Sequence, residues 1–175
     1  MNTFILRWNP NISSYKMETH LEIVSHVRKM EIPEDFDWSV FEWQKVKDGD
    51  MVILLQVGTE DDGIAMIGKI MGKPEADESW RKDGSKTHSV FISIFDAFIP
   101  AEQKEFRAEN FENEFDKIKW HKGHSGELID QATAKRLFDK LEPLIQNTGD
   151  MQCDMLRIFM RDGWGIKFYD DEEQS

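Results

Sequence analysis

The sequence predicts an α+β domain, a small curved or closed sheet with helices at its periphery, and three observations carry that prediction. Met51-Val52-Ile53-Leu54-Leu55-Gln56-Val57 is a continuous apolar run of strand length, the pattern of a strand buried on both faces. Gly63-Ile64-Ala65-Met66-Ile67-Gly68-Lys69-Ile70-Met71 returns as a second run after the polar turn Thr59 to Asp62, and the two pair as an antiparallel hairpin. Apolar stripes at helical spacing stand near both ends, on Met17, Leu21, Val24 and Val27 and on Leu137, Phe138, Leu141, Leu144 and Ile145.

Each element follows from local signals. Phe4 to Trp8 reads as a short strand, stopped by Asn9-Pro10-Asn11. Ser13 or Ser14 is the N-cap expected for the first helix, and Pro33 ends that segment. Residues 34–48 read as irregular, acidic and aromatic, with Asp48-Gly49-Asp50 as a turn. The glycines of the 63–71 run fit a bulge or a tight barrel bend. Gly72 to Thr87 reads as a long polar loop holding Trp80, Arg81, Lys82 and Lys86, and His88 to Phe98 as a third strand. Pro100 opens an expected helix carrying Phe106, Phe111, Phe115 and Ile118. Another helix starts near Asp130 as N-cap, with Pro143 expected to kink or restart it. Met155 to Met160 and Gly165 to Tyr169 flank an Asp-Gly turn, a hairpin signal. A single domain over 1–175 is expected, with 150–175 as a C-terminal β-hairpin extension and acidic tail.

Composition narrows the function classes. The net charge of −12 argues against non-specific nucleic-acid binding. The charge is unevenly placed: residues 31–62 hold ten acids against two lysines, whereas Lys117 to Gly126 holds three lysines and no acid. The single cysteine, Cys153, excludes an internal disulfide and fits a reducing compartment. The N-terminal residues carry no charged segment followed by a long apolar run, and no stretch has the roughly 18 apolar residues of a membrane span. A cytoplasmic protein that does not enter a membrane is therefore expected.

Enzyme and metal motifs are missing from the sequence: it has no P-loop, no GxGxxG after a strand, no GxSxG and no HExxH. His121-x-x-His124 lacks the further ligands that a zinc site needs, and Glu60-Asp61-Asp62 reads as a solvated turn. No metal, cofactor or catalytic residue is expected. The six tryptophans are more informative, because all fall in or beside expected loops, where indole rings at a sheet mouth suit stacking on a flat ligand such as a nucleobase.

The order of several short motifs resembles the EVE domain of the PUA-like superfamily, in the branch found with modification-dependent restriction endonucleases. The motifs are Phe4-Ile5-Leu6-Arg7-Trp8-Asn9-Pro10, Trp38-Ser39-Val40, the run from Lys47 to Gly58, the run from Gly63 to Ile70, and His124-Ser125-Gly126-Glu127-Leu128-Ile129 before a leucine-striped helix. The likeness spans roughly residues 3–145. It implies a PUA-like β pseudo-barrel of about five to seven short strands with peripheral helices. It also implies a pocket for a modified base flipped out of a nucleic acid, where enclosure reads what a duplex hides. Trp8, Asn9, Trp38, Ser39, Val40, Gln56, Gly58, Ser125 and Gly126 would line that pocket, with Lys119, Lys122 and His124 toward phosphate. Two other readings compete. One is an acidic protein-interaction module for a basic partner. The other is an amidohydrolase acting on modified nucleosides, like a member of the related ASCH branch, with Ser39, Thr59, Lys69 or Ser125 as its only candidate groups.

Overall fold

The structure is a computed structural model that describes residues 1–29, 31, 36–80 and 84–146. Its elements run β1 (Thr3–Trp8), α1 (Met17–Arg28), β2 (Phe36–Ser39), β3 (Met51–Gln56), β4 (Gly63–Trp80), β5 (Lys86–Ala97), β6 (Glu127–Ile129) and α2 (Gln131–Gln146). The six strands form one sheet in the order β2-β5-β4-β3-β1-β6. All pairs are antiparallel except β1 with β3, which run parallel from Thr3↔Met51 to Trp8↔Gln56. The chain is thus an α+β domain with the 51–57 run at the middle of its sheet.

Strand periodicity explains why β3 is apolar on both sides. Val52 and Leu54 turn inward with Phe4, Leu6 and Trp8 of β1 and with Val24 and Val27 of α1. Met51, Ile53 and Leu55 turn outward with Ile5, Phe98 and the α2 residues Leu137, Phe138 and Leu141. Gly68 sits where the β4–β5 register slips, and a Cβ there would lie 2.5 Å from the Ser93 carbonyl oxygen. The close approach of two backbones is why this position carries glycine.

The outer strands meet across the ends of the sheet. The N–H groups of Phe41 and Glu42, just past β2, donate to the carbonyls of Ser125 and Gly126, just before β6, at 2.8 and 3.1 Å. The N–H of Gly126 in turn donates to the Ile5 carbonyl at 2.7 Å. This seam ties the two ends of the sheet together in an open, pseudo-barrel-like arrangement. Gly126 has φ +89°, and a Cβ on it would stand 2.5 Å from Cγ1 and 2.6 Å from Cα of Val40. Both its conformation and its surroundings require a residue without a side chain.

Several expectations are corrected. Residues 72–80 and 86–87 form no loop: they extend β4 and β5 into a ribbon paired Glu75↔Ser89 and Ala76↔His88. The ribbon is solvated, so it lacks apolar alternation and reads as a loop. With 18 and 12 residues, β4 and β5 are not short strands. The segment after Pro100 holds only two single 3₁₀ turns, Lys104–Phe106 and Ala108–Asn110. Phe106, Phe111, Phe115 and Ile118 are nonetheless buried in the outer core. Each such burial contributes about 1.5–3 kcal/mol, against helix propensities of a few tenths, so packing decides the backbone. Side chains fix the turns as well: Arg107 donates to the carbonyls of Pro100 and Ala101, and Asn110 to that of Lys104.

The N-cap of α1 is Lys16, without a side-chain cap; Ser13 instead accepts from the N–H of Tyr15. The buried stripe of α1 is His20, Val24 and Val27, while Leu21 is exposed. Asp130 does cap α2, accepting from the N–H and hydroxyl of Thr133, and the helix continues through Pro143 to Gln146. Pro33, the side chains of Trp80, Arg81 and Lys82, and everything expected of 150–175, including Cys153 and the hairpin, lie outside the described residues. No helix among the described residues is long and apolar enough to cross a membrane.

Candidate functional site

A cleft of about 630 Å³ lies between α1, the loop before it and the outer edge of β2. That volume falls within the roughly 300–1,000 Å³ of small-molecule sites. Tyr15, Phe36 and Trp38 form its aromatic wall. Phe36 and Trp38 are two apart in β2, so they share a face and stack at 5.5 Å. Tyr15 meets Trp38 edge-on at 5.6 Å and Phe36 at 5.3 Å.

The wall is held from behind. Tyr15 donates its hydroxyl to Nδ1 of His20 at 2.9 Å, and His20 Nε2 donates to the Phe98 carbonyl at 2.7 Å. A carbonyl can only accept, so His20 carries its proton on Nε2 and accepts at Nδ1. Burial pushes the His20 imidazole down, which keeps it neutral for this role, and burial pushes the Tyr15 phenol up. The Trp8 indole donates to the Tyr15 carbonyl at 2.7 Å.

The polar side of the cleft comes from the edge of β2. The N–H of Val40 donates to the His88 carbonyl, which extends the pairs Phe36↔Ile92 and Trp38↔Val90 by one step. In an antiparallel ladder the residues between such hydrogen-bonded pairs turn their backbone groups away from the partner. Asp37 and Ser39 therefore direct N–H and C=O to the outer edge of β2, a terminal strand of the sheet. They border the cleft with Ser13, Ser14, Thr19 and Glu22, while their side chains lie on the face of β2 opposite Phe36 and Trp38.

The expected pocket residues divide. Trp38 and Ser39 line the cleft. Trp8 does not stand at a sheet mouth: it is wholly buried, packed on Tyr15 and His20 at 4.9 and 4.8 Å, and has no open ring face. Trp120 is buried as well, bonded to the Phe115 carbonyl. Val40 is buried against Gly126 in the seam. Ser125 is a pin: its Oγ accepts from Trp38 Nε1 at 2.7 Å and from the Arg7 N–H at 3.0 Å. Gln56, Gly58 and Asn9 sit together around the β3–β4 turn, away from the cleft lining. Gln56 is buried and donates to Thr59, Gly58 donates to Asp62, and Asn9 packs on Gly58.

The lysine-bearing loop is built on Arg7. The guanidinium, nearly closed to solvent, donates to the carbonyls of Lys119 and His124 and pairs with Glu127 at 2.8 Å. Lys119 and Lys122 are exposed, and the His124 ring stacks on Phe41 at 4.3 Å. His121 is clamped between Asp62 and Glu112 at 2.7 and 2.8 Å, which holds its imidazole above the usual histidine range. Among the described residues no group of three or more His, Cys, Asp and Glu is arranged to hold a metal ion. The four candidate catalytic groups are spread over separate elements: Ser39 on the cleft, Ser125 in the seam, Thr59 bonded to Asp62 in the turn, and Lys69 within β4. Sequence reading missed Tyr15, Phe36 and Asp37 as cleft residues. For Phe36 and Asp37 the signal was present in the alternation Phe36-Asp37-Trp38, which gives ring, carboxylate and ring on an edge strand; for Tyr15 there was none.

No family model and no curated protein matches the chain. Among solved structures, human THYN1, solved with DNA containing 5-methylcytosine, is 12% identical with a TM-score of 0.46, covering 79% of this chain and 96% of its own. A hypothetical protein from Leishmania major is 12% identical at 0.46, covering 82% and 96%. The Mmi1 YTH domain is 14% identical at 0.46, covering 84% and 99%. Likenesses at this level assign neither a family nor a ligand.

Proposed function

We propose that this chain is a non-enzymatic binding module that encloses a flat, hydrogen-bonding ring, a modified nucleobase flipped from a nucleic acid, in the cleft between α1 and β2. The observation that carries the reading is the coincidence of two things in one cleft. Rings of Tyr15, Phe36 and Trp38 offer apolar, stackable surface. The Asp37 and Ser39 backbone on the outer edge of β2 offers donors and acceptors beside it. A base has both a π-face and a hydrogen-bonding edge, and an extruded base presents both. The order of motifs that resembles the EVE domain points the same way. In this reading Lys119, Lys122 and His124 meet phosphate beyond Ser125, and the nucleic acid approaches an acidic protein on this lysine-bearing loop.

Short oligonucleotides with and without modified cytosine or adenine, titrated at low salt and followed by tryptophan fluorescence, test the proposal. Saturable quenching that Trp38→Ala abolishes is the expected result. Absence of a signal with every oligonucleotide, or a signal unchanged in Trp38→Ala, overturns it.

A further inference from the structure

We infer that the stacked rings of Phe41 and His124 form a second nucleotide site, which takes the unpaired base next to the one held in the cleft. The inference rests on the base-binding reading above and adds a neighbour to it. Phe41 is 44% exposed, and the exposed His124 ring lies nearly parallel to it, with 11° between the planes. A lone exposed ring signifies little. These two are fixed by their backbones. The Phe41 N–H donates to the Ser125 carbonyl at 2.8 Å, the His124 N–H donates to Glu127 at 3.1 Å, and the His124 carbonyl accepts from Arg7. A platform held in advance loses little freedom when a base settles on it.

The surroundings supply the rest of a nucleotide's chemistry. One guanidinium, that of Arg7, holds the carbonyls of both Lys119 and His124, which folds the lysine-bearing loop beside the pair. Lys119 and Lys122 are exposed, and their ammonium groups make no hydrogen bond or ion pair among the described residues. The acids next to the pair in the chain are already taken up, Glu127 by Arg7 and Glu42 by Lys45. Rings alone would suit any flat molecule, and lysines alone any polyanion; side by side they match a base with its phosphate. Ser125 links this platform to the cleft, because its carbonyl accepts from Phe41 and its Oγ from Trp38 Nε1. Phe41 stands three residues beyond Trp38, at most roughly 10 Å of extended chain, which is the reach of an adjoining nucleotide. A base received on the His124 ring has left its own stack, so the strand is single at this position.

The test separates flanking bases from flanking phosphates. The probes are DNA trinucleotides with 5-methylcytosine or N6-methyladenine between two thymines, each also made with both thymines replaced by abasic residues, so that the phosphates stay. Titrated into the full chain at low salt and followed by tryptophan fluorescence, the bound trinucleotide should lose on the order of 10-fold in affinity when its thymines are removed. In His124→Leu, and again in Phe41→Leu, intact and abasic probes should come within about 2-fold of each other, because the partner of the flanking base is gone. Equal binding of intact and abasic probes by the unaltered chain overturns the inference while the base-binding reading stands. So does a 10-fold difference that persists in both variants, or a variant that weakens the two probes alike, which would give the pair a phosphate-binding or structural part only. No binding of any probe sinks both readings.

Discussion

The seam and the cleft share one residue, Trp38, and otherwise differ in every respect that matters. In the seam polar groups are paired. Ser125 Oγ takes two donors, Arg7 serves two carbonyls and a carboxylate, and Gly126 bonds to Ile5 and Glu42. In the cleft they are open: the outer edge of β2 and the carboxylate of Glu22 face space. The indole N–H of Trp38 belongs to the first region and its ring to the second. Satisfied groups hold a fold, whereas unsatisfied ones beside aromatic rings await a ligand. Mutations in the two regions should therefore separate stability from binding.

The largest effect is expected at the seam. Gly126→Ala forces a side chain into the positive-φ region and against Val40, and should cost about 3 kcal/mol or more in a urea titration. Arg7→Leu leaves two carbonyls without their donor and Glu127 without its ion-pair partner, and should cost about 2–3 kcal/mol. In both variants the protein that remains folded should bind ligand with unchanged affinity.

Trp38 divides the two regions within one side chain. Trp38→Phe keeps a ring in the cleft and removes the donor to Ser125. It should cost about 1 kcal/mol of stability and retain most of the affinity. Trp38→Ala should abolish binding. Equal affinity losses in the two variants would show that the hydrogen bond, and not the ring, serves the ligand.

The smallest effects concern pH, and the two clamped histidines oppose each other. His20 is held neutral, with its folded pKa below the ordinary value near 6.5. The unfolded chain therefore binds the extra proton first, and stability falls as pH drops below about 6.5. His121 has its folded pKa raised, by the carboxylates of Asp62 and Glu112. Its contribution is complete below about 6.5 and is lost as pH rises through the raised value. Melting temperatures between pH 5 and 9 should show His121→Gln flattening the alkaline side. His20→Gln should flatten the acid side and also loosen the Tyr15 ring on the cleft wall.

The central sheet was legible in the sequence because its signal is strong and local: β3 and β4 each carry an unbroken apolar run. The ribbon beyond Met71 was not, since its pairing rests on backbone hydrogen bonds between solvated residues. Nor was the irregular course of residues 100–120, where long-range burial of four apolar side chains outweighs local preference. Trp38 and Ser39, singled out in the sequence by their place in a motif, line the cleft. Trp8 misled, because an aromatic residue at a strand end looks the same in sequence whether it faces a cleft or, as here, stands behind one. Tyr15 is held by His20, 5 residues away, and His20 by Phe98, 78 residues further on, and such a relay leaves no local pattern.

The central claim is that the cleft between α1 and β2 is where ligand binds, and indole resonances report on it directly. In a titration with a modified oligonucleotide, followed by ¹H–¹⁵N spectra of the full chain, the Trp38 Nε1–H signal should move and saturate. The signal of Trp120, buried in the outer core, should stay in place. A stationary Trp38 signal while other residues respond would place the ligand elsewhere and contradict the claim.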